Sequence, residues 1–147
     1  RFKIAKECGI DVTVDQMTQD LKSIVMEMTN NEGADKCFEC SGAVVAANTA
    51  LDLCRRKGTV VQMGVFSKSK VEICTDWILH KEINYVGSRS QKPSSWVKAL
   101  ELMADGKVVP EKTAKNFVTL ENWRDGFDRM AKGEGAKWVI TIDEELE

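Results

Sequence analysis

The chain has 147 residues, 43% of them apolar and 30% charged, with a formal net charge of −2, enough for one domain that buries a core. Lys and Arg are interspersed with Asp and Glu, so no basic stripe can neutralise a phosphate backbone, and no apolar run is long enough to span a bilayer; this argues against nucleic acid and membrane as partners. The five cysteines, Cys8, Cys37, Cys40, Cys54 and Cys74, are odd in number and come with no secretory signal pattern, which points to a reducing cytoplasm.

The chain opens at Arg1 on an amphipathic pattern and is expected to be part of something longer. Phe2, Ile4, Ala5 and Cys8 followed by Gly9 read as the end of a helix stopped by glycine, with Val12–Val14 as a short strand after it. From Met17, apolar residues recur at Leu21, Ile24, Val25 and Met28, the spacing of one helix face, up to the breaker Asn30-Asn31-Glu32-Gly33. Lys36–Cys40 then predicts a strand, Val45–Arg55 a helix ended by Gly58, and Thr59–Met63 a strand closed by Gly64. Such alternation argues for a parallel sheet wrapped by helices.

After an irregular stretch from Val65 to Thr75, Asp76–Lys81 predicts helical turns and Ile83–Val86 a strand closed by Gly87. Pro93 sits where a helix can begin, because its missing N–H would be unpaired there anyway, and Trp96, Val97, Leu100 and Met103 give that helix an inner face. Phe117 and Val118 suggest a strand. Thr119 can cap a helix carrying Leu120, Trp123, Phe127 and Met130, and Lys137–Ile142 reads as a last strand.

Cys37-Phe-Glu-Cys40 has the spacing of half a zinc site. No second pair exists at matching distance, and a strand would point the two thiols to opposite faces, so these read as strand cysteines and no metal ligand is assigned. His80, the only histidine, has no Ser, Cys or carboxylate arranged beside it and reads as a surface or packing residue. No catalytic residue is assigned. The dinucleotide fingerprint G-x-G-x-x-G is absent, and Gly133-Glu134-Gly135 precedes a strand instead of opening a helix, so it reads as a turn. Position is more informative. Ligands of open parallel sheets bind past the carboxyl ends of the strands, and those ends carry Cys40-Ser41-Gly42, Met63-Gly64-Val65 and Val86-Gly87-Ser88.

Six segments in register carry a resemblance: Arg1-Phe-Lys-Ile-Ala-Lys-Glu-Cys-Gly9, Gly33-Ala-Asp-Lys-Cys-Phe-Glu-Cys-Ser-Gly42, Gly58-Thr-Val-Val-Gln-Met-Gly64, Lys81-Glu-Ile83 with Val86-Gly-Ser-Arg89, Pro93-Ser-Ser-Trp96, and Trp123-Arg-Asp-Gly-Phe127 followed by Gly135-Ala-Lys-Trp-Val-Ile140. Together they resemble the medium-chain zinc dehydrogenases, most of all the sorbitol, L-iditol and threonine dehydrogenase branch.

The resemblance implies an α/β fold: an incomplete Rossmann-type doubly wound parallel sheet without its first two strands over 1–107, and over 108–147 a C-terminal segment returning to the catalytic domain. It implies a cofactor, NAD, and hydride transfer with a small polyol or alcohol. Zinc belongs to the full-length parent only, since the family's ligand segment, its phosphate loop and its ribose-binding acid have no counterpart in this sequence. Arg1 matches a residue that lies against the adenine. Met63, Gly64 and Val65 match positions lining the nicotinamide, and Val86 and Gly87 a second cofactor contact, with Gly87 smaller than the residue often found there. Cys40 and Ser41 would border the adenosine, and Lys137 matches a basic residue that can reach the pyrophosphate. With family strand order 3-2-1-4-5-6, Val12–Val14 is expected to lack its partner strand, leaving Lys36–Cys40, Thr59–Met63 and Ile83–Val86 side by side. Family members pair across the last Rossmann strand, which implies a homo-oligomer with Ile83–Gly87 as the interface edge. Two other readings stand beside this one: a free-standing α/β module binding a non-redox ligand, and a relative of the zinc-free quinone reductases.

Overall fold

Parallel strands need a crossover between them, and in the computed structural model, which describes residues 1–142, helices supply it. The chain forms two compact units, Val14–Ser90 and a second made of Arg1–Thr13 with the chain from Gln91 on.

In the unit Val14–Ser90, helix α2 (Leu21–Met28) precedes strand β1 (Ala34–Glu39), followed by helix α3 (Val44–Leu53), strand β2 (Cys54–Gln62), helix α4 (Thr75–Lys81) and strand β3 (Asn84–Gly87). The sheet is parallel in the order β1-β2-β3, so the three expected strands do lie side by side. Cross-strand register places Cys37, Val60 and Tyr85 in one row, and this row faces the core of Leu51, Cys54, Val60 and Ile83. The next row, Phe38, Val61 and Val86, points to the other face, where Phe38 and Val86 are 61% and 47% exposed. Leu51 is fully buried in this core. Leu51→Ala is expected to destabilise the unit by about 3 kcal/mol through lost transfer energy and the cavity left behind, read as a fall in the urea midpoint.

Local chemistry sets the element ends. Asp20, not Met17, starts α2, because its carboxylate accepts from the N–H groups of Lys22 and Ser23 at 3.0 and 3.2 Å, satisfying two of the orphan donors of a helix start. Helix α3 ends at Leu53 instead of Arg55. Lys81 takes over its last carbonyls, donating from Nζ to those of Leu51, Asp52 and Cys54 at 3.1, 2.5 and 3.2 Å. Strand β2 begins at Cys54, earlier than Thr59, because the register jumps from Ala34↔Cys54 to Lys36↔Thr59, a bulge that absorbs Arg55–Gly58. Gly58 sits inside this bulge: a Cβ there would lie 2.5 Å from the Cys54 sulfur.

The other unit contains helix α1 (Phe2–Glu7), helix α5 (Pro93–Ala104), a 3₁₀ turn at Pro110–Lys112, strand β4 (Asn116–Thr119), helix α6 (Trp123–Ala131) and strand β5 (Trp138–Thr141). Strands β4 and β5 are parallel neighbours with α6 as their crossover. Gly126 lets α6 approach; a Cβ there would be 3.1 Å from Val118. Pro93 opens α5 as its position dictates. Asn122, not Thr119, precedes α6; Thr119 ends β4 and its carbonyl accepts from the Asn122 N–H at 3.1 Å. Gly133 and Gly135 form a turn with positive φ. Val12–Val14 is not a strand: it has no neighbour in either sheet among the described residues, and an extended run without a ladder is not held as one.

Candidate functional site

The carboxyl ends of β1, β2 and β3 converge on one buried acid. Glu39 is the last residue of β1 and only 3% exposed, on the same side of its strand as Cys37. Its carboxylate accepts from the Ser41 N–H at 2.7 Å, the Ser41 hydroxyl at 2.5 Å, the Gly42 N–H at 2.9 Å and the Gln62 side-chain amide at 2.5 Å. Its backbone carbonyl accepts from the N–H groups of Met63 and Gly64 at 2.8 and 2.9 Å. Gln62 also donates to the Gly64 carbonyl at 2.8 Å, and its oxygen accepts from the Tyr85 hydroxyl at 2.8 Å. One carboxylate thus ties the turn after β1 to the turn after β2, and the amide beside it reaches β3. Burial opposes ionisation of Glu39, but the donors from Ser41, Gly42 and Gln62 outweigh it and hold the carboxyl below its usual range. No Lys, Arg or His forms an ion pair with it among the described residues.

Two glycines make this junction possible. A Cβ on Gly64 would collide with the Gly42 nitrogen and come within 2.5 Å of the Glu39 carboxylate, and one on Gly42, whose φ is +72°, would strike the Val65 carbonyl. The turns therefore touch backbone to backbone.

Outward from this junction lies an open apolar rim. Met63, Val65 and Val86 are 48%, 69% and 47% exposed, and the Cys40 sulfur lies 4.0 Å from that of Met63. Register sets Gly87 opposite Gln62, and the Ser88 N–H donates to the Gln62 carbonyl at 2.9 Å, so the turn after β3 adjoins the turn after β2. Nothing lies within 4 Å of a Cβ built on Gly87. The Val65 N–H donates to no acceptor among the described residues. An open groove of about 290 Å³, lined by Phe38, Glu39, Cys40, Ser41, Ala46 and Ala50, borders the rim on the β1 side.

Cys40, Ser41, Met63, Gly64, Val65, Val86 and Gly87 therefore lie together at one edge of the three-stranded sheet. Arg1 and Lys137 belong to the other unit: Arg1 donates from Nε to the Gly135 carbonyl at 3.3 Å, and the Lys137 carbonyl accepts from Asn116 at 3.2 Å. Glu39, Gln62 and Tyr85 are not among the residues the sequence singles out; for Glu39 the available signal was a charged residue inside the apolar strand run, two residues before Ser41-Gly42.

Cys37 and Cys40 take different surroundings. Cys37 packs against the core, and burial, with Cys54 beside it, pushes its thiol up to about 11, so it stays protonated and is a poor ligand or nucleophile. Cys40 is exposed. His80 is exposed on the last turn of α4. Among the described residues no three His, Cys, Asp or Glu side chains converge as a metal requires, so the residues present do not fit a zinc ion.

A parallel sheet with helical crossovers and a glycine-built rim at its strand ends defines a Rossmann-type fold, which solved alcohol dehydrogenases share. The chain superposes on an alcohol dehydrogenase from Thermus sp. ATN1 with a TM-score of 0.86 at 22% identity, covering 95% of this chain and 41% of that one. For the 2R,3R-butanediol dehydrogenase of Bacillus subtilis the TM-score is 0.84 at 23% identity, covering 97% and 41%. The chain belongs to the zinc-binding dehydrogenase family, which it matches over residues 1–105. Among characterised relatives it is 39% identical to the D-arabitol-phosphate dehydrogenase of Enterococcus avium, over 99% of this chain and 41% of that protein. It is 40% identical to the sorbitol dehydrogenase of Halalkalibacterium halodurans, over 96% and 41%. The chain thus spans 41% of the length of both relatives.

Proposed function

We propose that the protein carrying this chain transfers hydride between a polyol or secondary alcohol and NAD, and that this chain supplies the surface against which the nicotinamide lies. The observation that carries the reading is the adjacency of the Met63–Val65 and Val86–Gly87 turns on an exposed apolar rim, with a Val65 N–H that meets no acceptor among the described residues. A flat heterocycle needs such a wall, and its carboxamide needs a fixed backbone donor. The sorbitol and arabitol-phosphate dehydrogenase relatives support the substrate class.

When bound, NAD supplies the hydride acceptor. This chain's part is to bind and orient: Met63, Val65 and Val86 exclude water from one ring face, the Val65 N–H fixes the carboxamide, and Gly87 leaves room at the wall. Cys40 and Ser41 border the adenosine side. Arg1 against adenine and Lys137 at the pyrophosphate follow from the family resemblance, as does the division into a cofactor-domain part, 1–107, and a return segment, 108–147. In this reading zinc is held by residues other than those described here. Strand β3 ends the sheet, and its free edge suits pairing with a second copy through Ile83–Gly87. Five cysteines without a disulfide fit a cytoplasmic location. No helix among the described residues is long and apolar enough to cross a membrane.

The test is steady-state kinetics on the zinc-loaded protein that carries this chain, with NAD and a panel of polyols. Turnover with at least one polyol is expected, and Gly87→Val is expected to raise the KM for NAD about tenfold with an unchanged melting temperature, because the position is open. An unchanged KM, or no NAD reduction with any polyol or secondary alcohol, contradicts the reading. The 147-residue chain by itself, having no ligand set for zinc among its described residues, is expected to reduce no NAD with any of them.

A further inference from the structure

We propose that Glu39 is a positioning residue for the cofactor: its carboxylate, with Gln62 and Tyr85, fixes the spacing of the turns after β1 and β2, the first of which borders the adenosine and the second the nicotinamide. The inference rests on the reading of the rim as a nicotinamide wall. Three observations carry it. First, Glu39 is the one charged residue buried in this part of the molecule, and hydrogen-bond donors alone satisfy it. A fold does not bury an unpaired charge cheaply when a serine or an apolar side chain would fill the space. Secondly, the carboxylate joins the turn after β1, through Ser41 and Gly42, to Gln62 on β2. The Gln62 amide in turn donates to the Gly64 carbonyl in the turn after β2, and its oxygen reaches β3. Tyr85 holds the Gln62 oxygen at 2.8 Å, which aims its amide at Glu39. Thirdly, the turns so held are the ones that carry Cys40, Met63 and Val65 outward on the exposed side. The acid itself is 3% exposed and turned to the inner side, so it acts through the turns that it holds.

An amide cannot replace it. Glutamine at position 39 would accept at one oxygen only and present an NH₂ to donors that now meet the other. The turn after β1 and the turn after β2 would then relax against each other, and the Val65 N–H would lose its set position. Such a shift weakens ground-state and transition-state binding of the cofactor alike, so KM moves while kcat at saturating cofactor does not.

The experiment uses the protein that carries this chain, comparing wild type, Glu39→Gln and Tyr85→Phe. NADH binding is followed by fluorescence titration, with the KM for NAD, kcat and thermal melting measured in parallel. For Glu39→Gln the expected result is a Kd for NADH and a KM for NAD each raised about tenfold, with kcat at saturating NAD within about threefold of wild type. Tyr85→Phe removes one partly exposed hydroxyl and leaves the core filled, so it keeps the inference testable should Glu39→Gln not fold; a rise of about threefold in both constants is expected. Native KM and Kd in the folded variants, with only the melting temperature lowered, would overturn the positioning role while leaving the nicotinamide reading intact. Wild-type protein that binds no NADH would remove that reading and this inference with it.

Discussion

Glu39→Ala is expected to cost about 3 kcal/mol of folding stability, a fall of roughly 10 °C in melting temperature for a chain of this size. The substitution leaves the Ser41 and Gly42 N–H groups without their acceptor and the Gln62 amide with the Gly64 carbonyl alone, and it opens space where a buried side chain stood. Each unsatisfied donor carries its desolvation penalty, and solvent entering near exposed Ser41 recovers only part of it. The acid limb of the stability profile gives the same interaction a second signature. The folded carboxyl lies below its ordinary value of 4.5, so the folded state favours the ionised form. Its contribution is fully present above that ordinary value and disappears as pH falls through the lowered folded value, where both states are protonated. Urea denaturation across the acid range is therefore expected to show wild type losing stability below about pH 4.5 more steeply than Glu39→Gln. Parallel profiles would count against an ionised, donor-held carboxylate.

Gly64→Ala is expected to be as damaging, at about 3 kcal/mol, for a reason of a different kind. Gly64 has no positive φ, so backbone freedom is not what position 64 requires. The added methyl would meet the Gly42 backbone, which cannot yield, and the Glu39 carboxylate, which its donors from Ser41, Gly42 and Gln62 hold in place. Gly42→Ala adds a left-handed φ of +72° to its collision with the Val65 carbonyl, costing about 1 kcal/mol more. Gly87→Ala supplies the contrast: its methyl enters open space, and its stability is expected within about 0.5 kcal/mol of wild type. Urea midpoints for the three variants check the order. A Gly64→Ala protein as stable as Gly87→Ala would mean that the turns after β1 and β2 are not in the contact described.

The fold was legible wherever periodicity and punctuation agreed. Helix α5 starts at Pro93 because proline suits a first turn, and β1 and β3 fall within a residue or two of their apolar runs. Strand β2 starts before the Thr59 that the sequence suggests, since helical spacing runs on to Arg55 and Gly58 looks like the stop; Cys54 joins the ladder only because the register shift between Ala34 and Lys36 on the neighbouring strand accommodates a bulge. Val12–Val14 has the β-branched composition of a strand and no partner among the described residues, and pairing is not a property of a segment alone. The rim residues Met63, Val65 and Val86 could be named from glycine placement and resemblance. Glu39 left only a charge within an apolar run as its trace, and Gln62 and Tyr85 left none, because the link runs across three strands separated by two helices: register pairs Glu39 with Gln62, and Tyr85, one row back on the same face, reaches the Gln62 oxygen with its hydroxyl.

The most direct measurement is a structure of the protein carrying this chain with NADH bound. The nicotinamide ring is expected to contact Met63, Val65 and Val86, its carboxamide within hydrogen-bond reach of the Val65 N–H, with Glu39 still joined to Ser41, Gly42 and Gln62 behind the wall. A ring bound away from these strand ends, with the rim bare, would contradict the central claim.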